Sequence, residues 1–228
     1  MIVLGLETAS PVCSVGVADE SGPRAEESVP FSTVHSEKLP TLIGSVLARA
    51  GLSLRELGAI AVSSGPGSFT GLRIGMSAAK GLCFALRIPL VSISTFSAVA
   101  ISAAEKHARA GKILVALDAK KGDFYWGMFE VKDGAVKPAG EVCLRQPGEL
   151  RARAEPVETL VVVTDSSVVR GELGSGVLAV EEAGDHFRGS RIATLGVEKA
   201  KRGEWSDPAL VEPLYLKDFV PKQARSSA

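Results

Sequence analysis

The chain has 228 residues, of which 46% are hydrophobic, and its 26 basic and 26 acidic side chains give a formal net charge of zero. This length allows one large domain or two small halves with a real core, and the balanced charge gives no general attraction to nucleic acid. No apolar run approaches the ~20 residues of a membrane span, and the chain opens on a strand pattern without a charged leader, so we expect a cytoplasmic protein.

The first third of the sequence predicts an antiparallel meander followed by a helix. Alternating apolar residues indicate strands at Ile2–Glu7, Cys13–Ala18 and about Arg24–Val29. Apolar residues then recur at helical spacing from Leu39 to Ala50. Pro40 fits that helix only in its first turn or at a kink.

Strands and helices alternate after the meander. A strand at Ala59–Ser63 precedes a helix at Ile74–Arg87, and a strand at Leu90–Ser94 precedes a helix at about Ser97–Arg109. This order predicts an α/β protein with a central mixed sheet flanked by helices.

The second half of the chain begins much as the first does. A shift of 111 residues places Val115–Asp118 over Leu4–Glu7, and Gly127 over Gly16. Both copies show a strand with a terminal acid, a polar turn and a second strand. We interpret the match as an internal duplication whose halves face each other across a cleft.

The duplication predicts an N-terminal half of residues 1–110 and a smaller C-terminal half of residues 111–228 with a flexible tail. The second half has fewer clear helices, so we expect it to be reduced. Its predicted elements are strands at 123–131, 136–144 and 159–164, helices at 148–153 and 192–202, and a loop at 171–176.

The glycine-rich run Ser64–Gly75 lies between a predicted strand and a predicted helix. Such a turn aims free N–H groups and the positive end of a helix at whatever lies in front of it, as phosphate loops do. The run nevertheless matches neither the P-loop spacing nor the dinucleotide-binding fingerprint. The alternative is a tight turn formed by Gly65, Pro66 and Gly67, with Ser68 or Thr70 capping the helix.

The helix after this run carries a stripe of small residues. Gly71, Gly75, Ala79 and Cys83 recur every four positions, which predicts that another helix packs closely there, within the domain or from a second protein. An adjacent apolar face, which includes Ile74, is expected to face the sheet. Because one helix cannot turn both faces toward the sheet, the pattern favours an intersubunit use of the small-residue stripe.

Two acids end the matched strands, Glu7 and Asp118. Their position at a cleft would suit a metal–nucleotide complex, whereas capping a turn is the more common role of such an acid. The three histidines show no metal-ligand spacing.

These motifs together resemble the TsaB (YeaZ) family of the bacterial machinery that makes tRNA threonylcarbamoyladenosine. The resemblance rests first on Ser64–Gly75. It is extended by further segments in the same order along the chain: Leu4–Ala9, His35–Pro40, Ala79–Leu82, Ala116–Trp126 and Pro213–Lys217. The family usually has Asp where Glu7 stands, and Gly-x-Gly where Thr164–Ser167 stands, at positions where related kinases hold nucleotide.

The resemblance implies a duplicated actin-like, sugar-kinase-like (ASKHA, ribonuclease-H-like) fold and a subunit that is not itself the enzyme. It implies docking on the paralogous transferase TsaD, a third partner in the ATPase TsaE, a homodimer in isolation, and tRNA contact only through the complex. No cofactor is expected on this subunit, because ATP and metal belong to the partners. The residues expected to bind the partner lie on the two helices of the first half: Leu39, Ile43, Val46, Gly71, Arg73, Gly75, Ala79 and Cys83.

Two other functions remain open at this point. One is an ATP-dependent phosphotransferase or ATPase of the same fold that uses Glu7 and Asp118. The other is a metallopeptidase, because the wider family carries a glycoprotease label. This sequence lacks the His-x-x-x-His metal pair of the paralogue TsaD, and the nearest counterpart is His35-x-x-x-Leu39, which speaks against the peptidase.

Overall fold

A computed structural model describes residues 1–30, 35–120, 122–146, 149, 159–166 and 177–217, with the backbone alone for residues 35–37. The predicted helix at 148–153, the predicted loop at 171–176 and the tail beyond residue 217 lie outside this described part.

A five-stranded mixed sheet contains the first five strands of the chain. Its order is β3-β2-β1-β4-β5. The first three strands form an antiparallel meander, and β4 and β5 continue from β1 in parallel. The strands are β1 (Val3–Glu7), β2 (Val12–Asp19), β3 (Gly22–Pro30), β4 (Ala59–Ser63) and β5 (Leu90–Ile93).

The second sheet repeats this topology. Its order is β11-β10-β6-β7-β8, with β9 paired to β7. A β8-β7-β6 antiparallel meander again continues through two parallel strands. The strands are β6 (Lys112–Asp118), β7 (Phe124–Lys132), β8 (Ala135–Pro138), β9 (Cys143–Arg145), β10 (Thr159–Val163) and β11 (Ala179–Glu182). The repeat confirms the duplicated α/β fold, since β1 corresponds to β6 and β2 to β7.

Four α-helices within the described residues flank the two sheets. The first two, α1 and α2, cover one face of the first sheet, where their apolar residues join a core with β1, β2 and β4. The helices are α1 (His35–Ala50), α2 (Phe69–Leu86), α3 (Thr95–Lys106) and α4 (Gly189–Lys201), with short 3-10 turns at Leu54–Glu56 and Ala183–His186.

Each of the other two helices packs on the sheet of the opposite half. Helix α3 follows the last strand of the first sheet but packs on β6, β7 and β8 of the second. Helix α4 follows the last strand of the second sheet but packs on all five strands of the first. The strands therefore divide near residue 111, whereas each sheet has one face covered by a helix from the other half.

Helices α1 and α2 begin earlier than their apolar periodicity predicted. Helix α1 starts at His35, so Pro40 lies inside it rather than in its first turn. Helix α2 starts at Phe69, where the Oγ of Ser68 accepts a hydrogen bond from the Gly71 amide at 3.2 Å. This bond confirms Ser68 as the cap. The first turn was missed because glycine and threonine there give no apolar period.

The segment after α4 runs back across both halves. Ser206 donates its amide hydrogen bond to the Leu90 carbonyl of β5 at 2.8 Å, and Leu214 donates to the Ser64 carbonyl at 2.8 Å. Lys217 then reaches the β6–β7 turn, where its Nζ lies 2.6 Å from Asp123 Oδ2. We call residues 204–217 the C-terminal strap. No helix in the described ranges is long and apolar enough to cross a membrane.

Candidate docking face and glycine-rich loop

The glycine-rich loop before α2 directs many of its amides at its own chain. Ser64 donates to the Ile93 carbonyl at 2.8 Å, Gly65 to Thr95 Oγ1 at 3.1 Å, and Ser68 to the Ala9 carbonyl at 2.7 Å. Backbone amides that are already paired in this way are not available to phosphate oxygens. The geometry therefore matches the tight-turn interpretation rather than the phosphate cradle.

Two glycines are required by the shape of this loop. Gly65 has a φ of +102°, which L-residues rarely adopt, and a Cβ there would lie 2.9 Å from the Leu214 carbonyl oxygen. A Cβ at Gly67 would overlap the carbonyl of Ala9. Glycine thus allows the loop to lie directly against the end of β1 and against the C-terminal strap.

The two strand-end acids occupy equivalent positions in the duplication, and each caps the turn that follows it. Glu7 Oε1 accepts the Ala9 amide at 2.7 Å, and Asp118 Oδ1 accepts the Lys120 amide at 2.7 Å. Glu7 is only 1% exposed, and burial raises the pKa of its carboxyl to about 7 despite the hydrogen bond from Ala9. Within the described residues, no group of three or more His, Cys, Asp or Glu side chains could hold a metal ion.

The two apolar faces of α2 are reversed relative to the sequence-based prediction. Gly71, Gly75, Ala79 and Cys83 are buried against the first sheet. A Cβ on Gly75 would overlap Thr8 Oγ1, so the small residues let the helix backbone lie close to the end of β1. Their predicted place on an outer surface of α2 is wrong, because these residues are buried and allow close approach to the sheet.

The predicted contact residues of α1 are also interior. Leu39, Ile43 and Val46 are each at most 8% exposed and pack in the core under the helix. Of the eight residues predicted to bind a partner, only Arg73 is exposed. The error has one cause: the apolar period of an amphipathic helix first marks the face that covers its own sheet.

The outward surface of α1 and α2 contains a second set of apolar side chains. A groove of about 350 Å³ runs between the two helices. Farther along α2, Phe84 is 89% exposed. The groove is lined by Pro40, Arg73, Ile74, Ser77 and Ala78, and it also reaches the core residue Leu39. We call this groove together with the outer side of α2 as far as Phe84 the α1–α2 face.

Arg73 at the edge of this groove is held in place by two aromatic rings. Its guanidinium carbon lies 3.9 Å from the ring centroid of Phe69 and 5.8 Å from that of Tyr215. Its Nε donates to Tyr215 Oη at 3.2 Å. Sequence reasoning assigned no role to Phe69 or Tyr215, because the latter is 142 residues away from Arg73 and is brought there by the C-terminal strap.

The fold places the chain among actin-like proteins with duplicated halves. The structure of YeaZ from Pseudomonas aeruginosa superposes with a TM-score of 0.82 at 25% sequence identity, covering 94% of this chain and 99% of that one. Component A of (R)-2-hydroxyglutaryl-CoA dehydratase from Acidaminococcus fermentans shares the fold alone, with a TM-score of 0.53 at 12% identity over 88% of this chain and 99% of that one.

The sequence identifies the family. The model described as "TsaD: tRNA N6-adenosine threonylcarbamoyltransferase" matches residues 30–161, which is more than half of the chain, so the chain belongs to that family. Among curated proteins, the tRNA threonylcarbamoyladenosine biosynthesis protein TsaB of Escherichia coli is 32% identical over 60% of this chain and 58% of its own length. TsaB of Bacillus subtilis is 29% identical over 95% of this chain and 94% of its own length. The matched region thus spans little more than half of the E. coli protein.

Proposed function

We propose that this chain is a non-catalytic subunit in the biosynthesis of threonylcarbamoyladenosine in tRNA. In this role it binds and activates a TsaD-like transferase, works with a TsaE-like ATPase, and reaches tRNA only through the assembly. The proposal is supported by the family match and by relatives named for this biosynthesis, one of which aligns over nearly the whole chain. We further propose that it acts in the cytoplasm and forms a homodimer when isolated.

The observation that carries the docking role is the α1–α2 face. The α1–α2 face combines a groove with half-buried Ile74 and Ala78 and, farther along α2, a phenylalanine that is 89% exposed. Apolar patches rimmed by polar groups are typical of protein-binding sites. Ser77 and Arg73 supply that rim here. We therefore place the transferase contact on this face rather than on the buried stripe.

The groove gives a direct test by co-expression with the TsaD-like protein of the same genome. Ala78→Arg should weaken the complex by at least about tenfold, because it places a charge in the apolar groove. Ala135→Arg, on exposed strand β8, is the matched control and should co-elute like the parent. The readouts are co-elution in size-exclusion chromatography and threonylcarbamoyladenosine content of tRNA. A folded Ala78→Arg variant that binds and supports modification normally would contradict the docking role.

Nucleotide binding distinguishes the non-catalytic subunit from the alternative, a phosphotransferase or ATPase. Glu7 is buried and caps a turn, and the loop amides bond within the chain, so we expect no cofactor on this subunit. Titration of the purified chain with Mg–ATP in a calorimeter should give no binding heat. Saturable heat that disappears in Asp118→Asn, together with ATP hydrolysis, would instead support the enzyme.

A further inference from the structure

The charge of the α1–α2 face points to the chemistry of its occupant. Helix α2 contains Arg73 and Lys80 and no acidic residue. Helix α1 contains Lys38 and Arg49 against a single acid, Glu37. The whole chain is neutral, so this excess is local. We propose that the surface which covers the α1–α2 face is acidic, and that Arg73 binds a carboxylate of that partner. The inference rests on the docking role proposed above.

The position and contacts of the Arg73 guanidinium suit the binding of a carboxylate. The Phe69 and Tyr215 rings and the bond from Nε to Tyr215 Oη fix the guanidinium at the groove edge. Nε is occupied by the tyrosine, whereas the two terminal nitrogens form no ion pair with any carboxylate of the described residues. A planar guanidinium that is held before binding loses little conformational entropy when it pairs with a carboxylate. The guanidinium is therefore exposed and held in a fixed position, and no carboxylate of the described residues pairs with it.

Of the neighbouring cations, Arg49 pairs with Glu27 of β3, at 3.9 Å. Lys38 and Lys80 form no ion pair with a carboxylate that the structure describes. The positive field of the face is therefore directed at whatever docks there.

A second copy of this chain is a poorer occupant than an acidic partner. Pairing two copies through this face would bring the cations of α1 and α2 from each copy together, and like charges across an interface oppose association. A homodimer on this face should therefore be weak. The same charges favour a heterologous helix pair with acidic side chains, so they would direct the chain from self-association to its transferase.

Nucleic acid would also be attracted to a basic face, but the surface chemistry favours protein. The groove is lined mainly by aliphatic side chains, among them Pro40, Ile74 and Ala78. Exposed aromatic side chains of the kind that stack on single-stranded nucleic acid are present at Phe84 and Tyr215. The groove between the two helices, however, matches the apolar face of another helix.

Charge reversal at Arg73 tests the proposal against a matched change elsewhere. Arg73→Glu should weaken binding of the TsaD-like protein by about tenfold or more, while Lys137→Glu on exposed strand β8 should change it by less than about twofold. Tyr215→Phe, which removes the hydroxyl that accepts from Nε, should weaken it by about twofold to fivefold. Arg73→Gln serves as a second variant, and circular dichroism checks folding.

The effect of salt on affinity should have opposite signs for the two protein occupants, the TsaD-like protein and a second copy of this chain. Between about 50 mM and about 500 mM NaCl, the complex with the TsaD-like protein should weaken because salt screens attraction, whereas self-association should strengthen because salt screens repulsion. Dissociation constants from interferometry and sedimentation velocity give both trends. Self-association as tight as the heterologous complex and equally insensitive to salt would overturn the proposal.

Further outcomes distinguish failure of the acidic-partner proposal from failure of the docking role. If Ala78→Arg abolishes the complex but Arg73→Glu and Arg73→Gln bind like the parent, the docking role stands and the acidic-partner proposal is wrong. If the isolated chain binds tRNA and Arg73→Glu removes that binding while the TsaD-like protein still binds, the face is an RNA site and the proposal is overturned. Failure of the unaltered chain to bind the TsaD-like protein would instead remove the docking role itself.

Discussion

At the residue scale, Glu7 combines a structural role with an unfavourable environment. It ends β1, is 1% exposed, and uses one carboxylate oxygen to hold the β1–β2 turn, where the Ala9 carbonyl accepts the Ser68 amide of the glycine-rich loop. Burial penalises its charged form more than the hydrogen bonds favour it, so the pKa lies near 7 instead of the ordinary 4.5. The protonated carboxyl can still accept the Ala9 amide, so the turn does not require the charge.

This raised pKa makes the stability of the protein depend on pH with a definite sign. Between about pH 4.5 and about pH 7 the unfolded chain releases the Glu7 proton while the folded chain retains it. The contribution of Glu7 to the free energy of unfolding therefore falls across this window, by about 3 kcal/mol. Glu7→Gln keeps an oxygen acceptor but cannot ionise, so it should lack this loss. Its free energy of unfolding should therefore rise relative to that of the parent by about 2 kcal/mol between about pH 5 and about pH 7.5.

Urea denaturation of both proteins at about pH 5 and about pH 7.5 measures the difference. All other groups titrate alike in the two chains, so the change in their difference reports Glu7. Parallel pH profiles for the two proteins would show that the Glu7 carboxyl titrates in the folded state as it does in the unfolded chain.

At the element scale, α4 lies on the first sheet almost backbone to backbone. Gly5 and Gly16 face each other across β1 and β2. A Cβ at Gly5 would overlap the backbone of Gly189 and Ala193, and one at Gly16 would overlap that of Ser190. The Gly189 amide donates to Ser14 Oγ at 2.8 Å and fixes the start of the helix.

Gly16→Ala should therefore displace α4 from the sheet. Because the nearest atoms belong to backbone and cannot swing away, we expect a loss of about 3 kcal/mol or more. Gly81→Ala is the matched control, because Gly81 is exposed on α2 and an added Cβ there has nothing within 4 Å. This alanine should stabilise the helix by up to about 1 kcal/mol. Thermal and urea unfolding compare the two variants. Equal effects of the two substitutions would show that α4 does not lie this close to β2.

The sequence predicted which elements form more reliably than which way they face. Strands such as Ala59–Ser63 were predicted correctly because buried strands are continuous apolar runs. The faces of α2 were assigned wrongly because both of its stripes are apolar, and periodicity alone does not say which stripe meets the sheet. Small residues suit contact with a sheet as well as contact with a helix, so only the position of Thr8 against Gly75 decides the question.

At the scale of the whole molecule, the two glycines matched by the duplication have a packing role that the sequence did not reveal. The matched glycines Gly16 and Gly127 lie on equivalent strands, and each lies beneath a helix from the other half. Ser190 of α4 lies over Gly16, and a Cβ on Gly127 would come within 2.7 Å of Phe96 Cδ1 on α3. Local periodicity could place both helices along the chain, but not the sheet that each one covers, because that choice depends on long-range packing.

The exchange of helices predicts that neither proposed half, 1–110 nor 111–228, folds alone. Without α4, the first fragment would expose the apolar face formed by Val3, Ala61 and Val91. The second, without α3, would expose the face that includes Val115. Each isolated fragment should show little cooperative unfolding, whereas the co-expressed pair should associate and unfold in one transition.

A peptide of residues 187–203, which contains α4, tests the cause directly, because it should bind fragment 1–110 and raise its stability. The same peptide with Ala193→Asp should not bind, since Ala193 is fully buried where α4 meets Gly5. Circular dichroism and urea unfolding follow both mixtures. Cooperative folding of fragment 1–110 alone, with no response to either peptide, would show that the first sheet does not depend on the helix it receives from the second half.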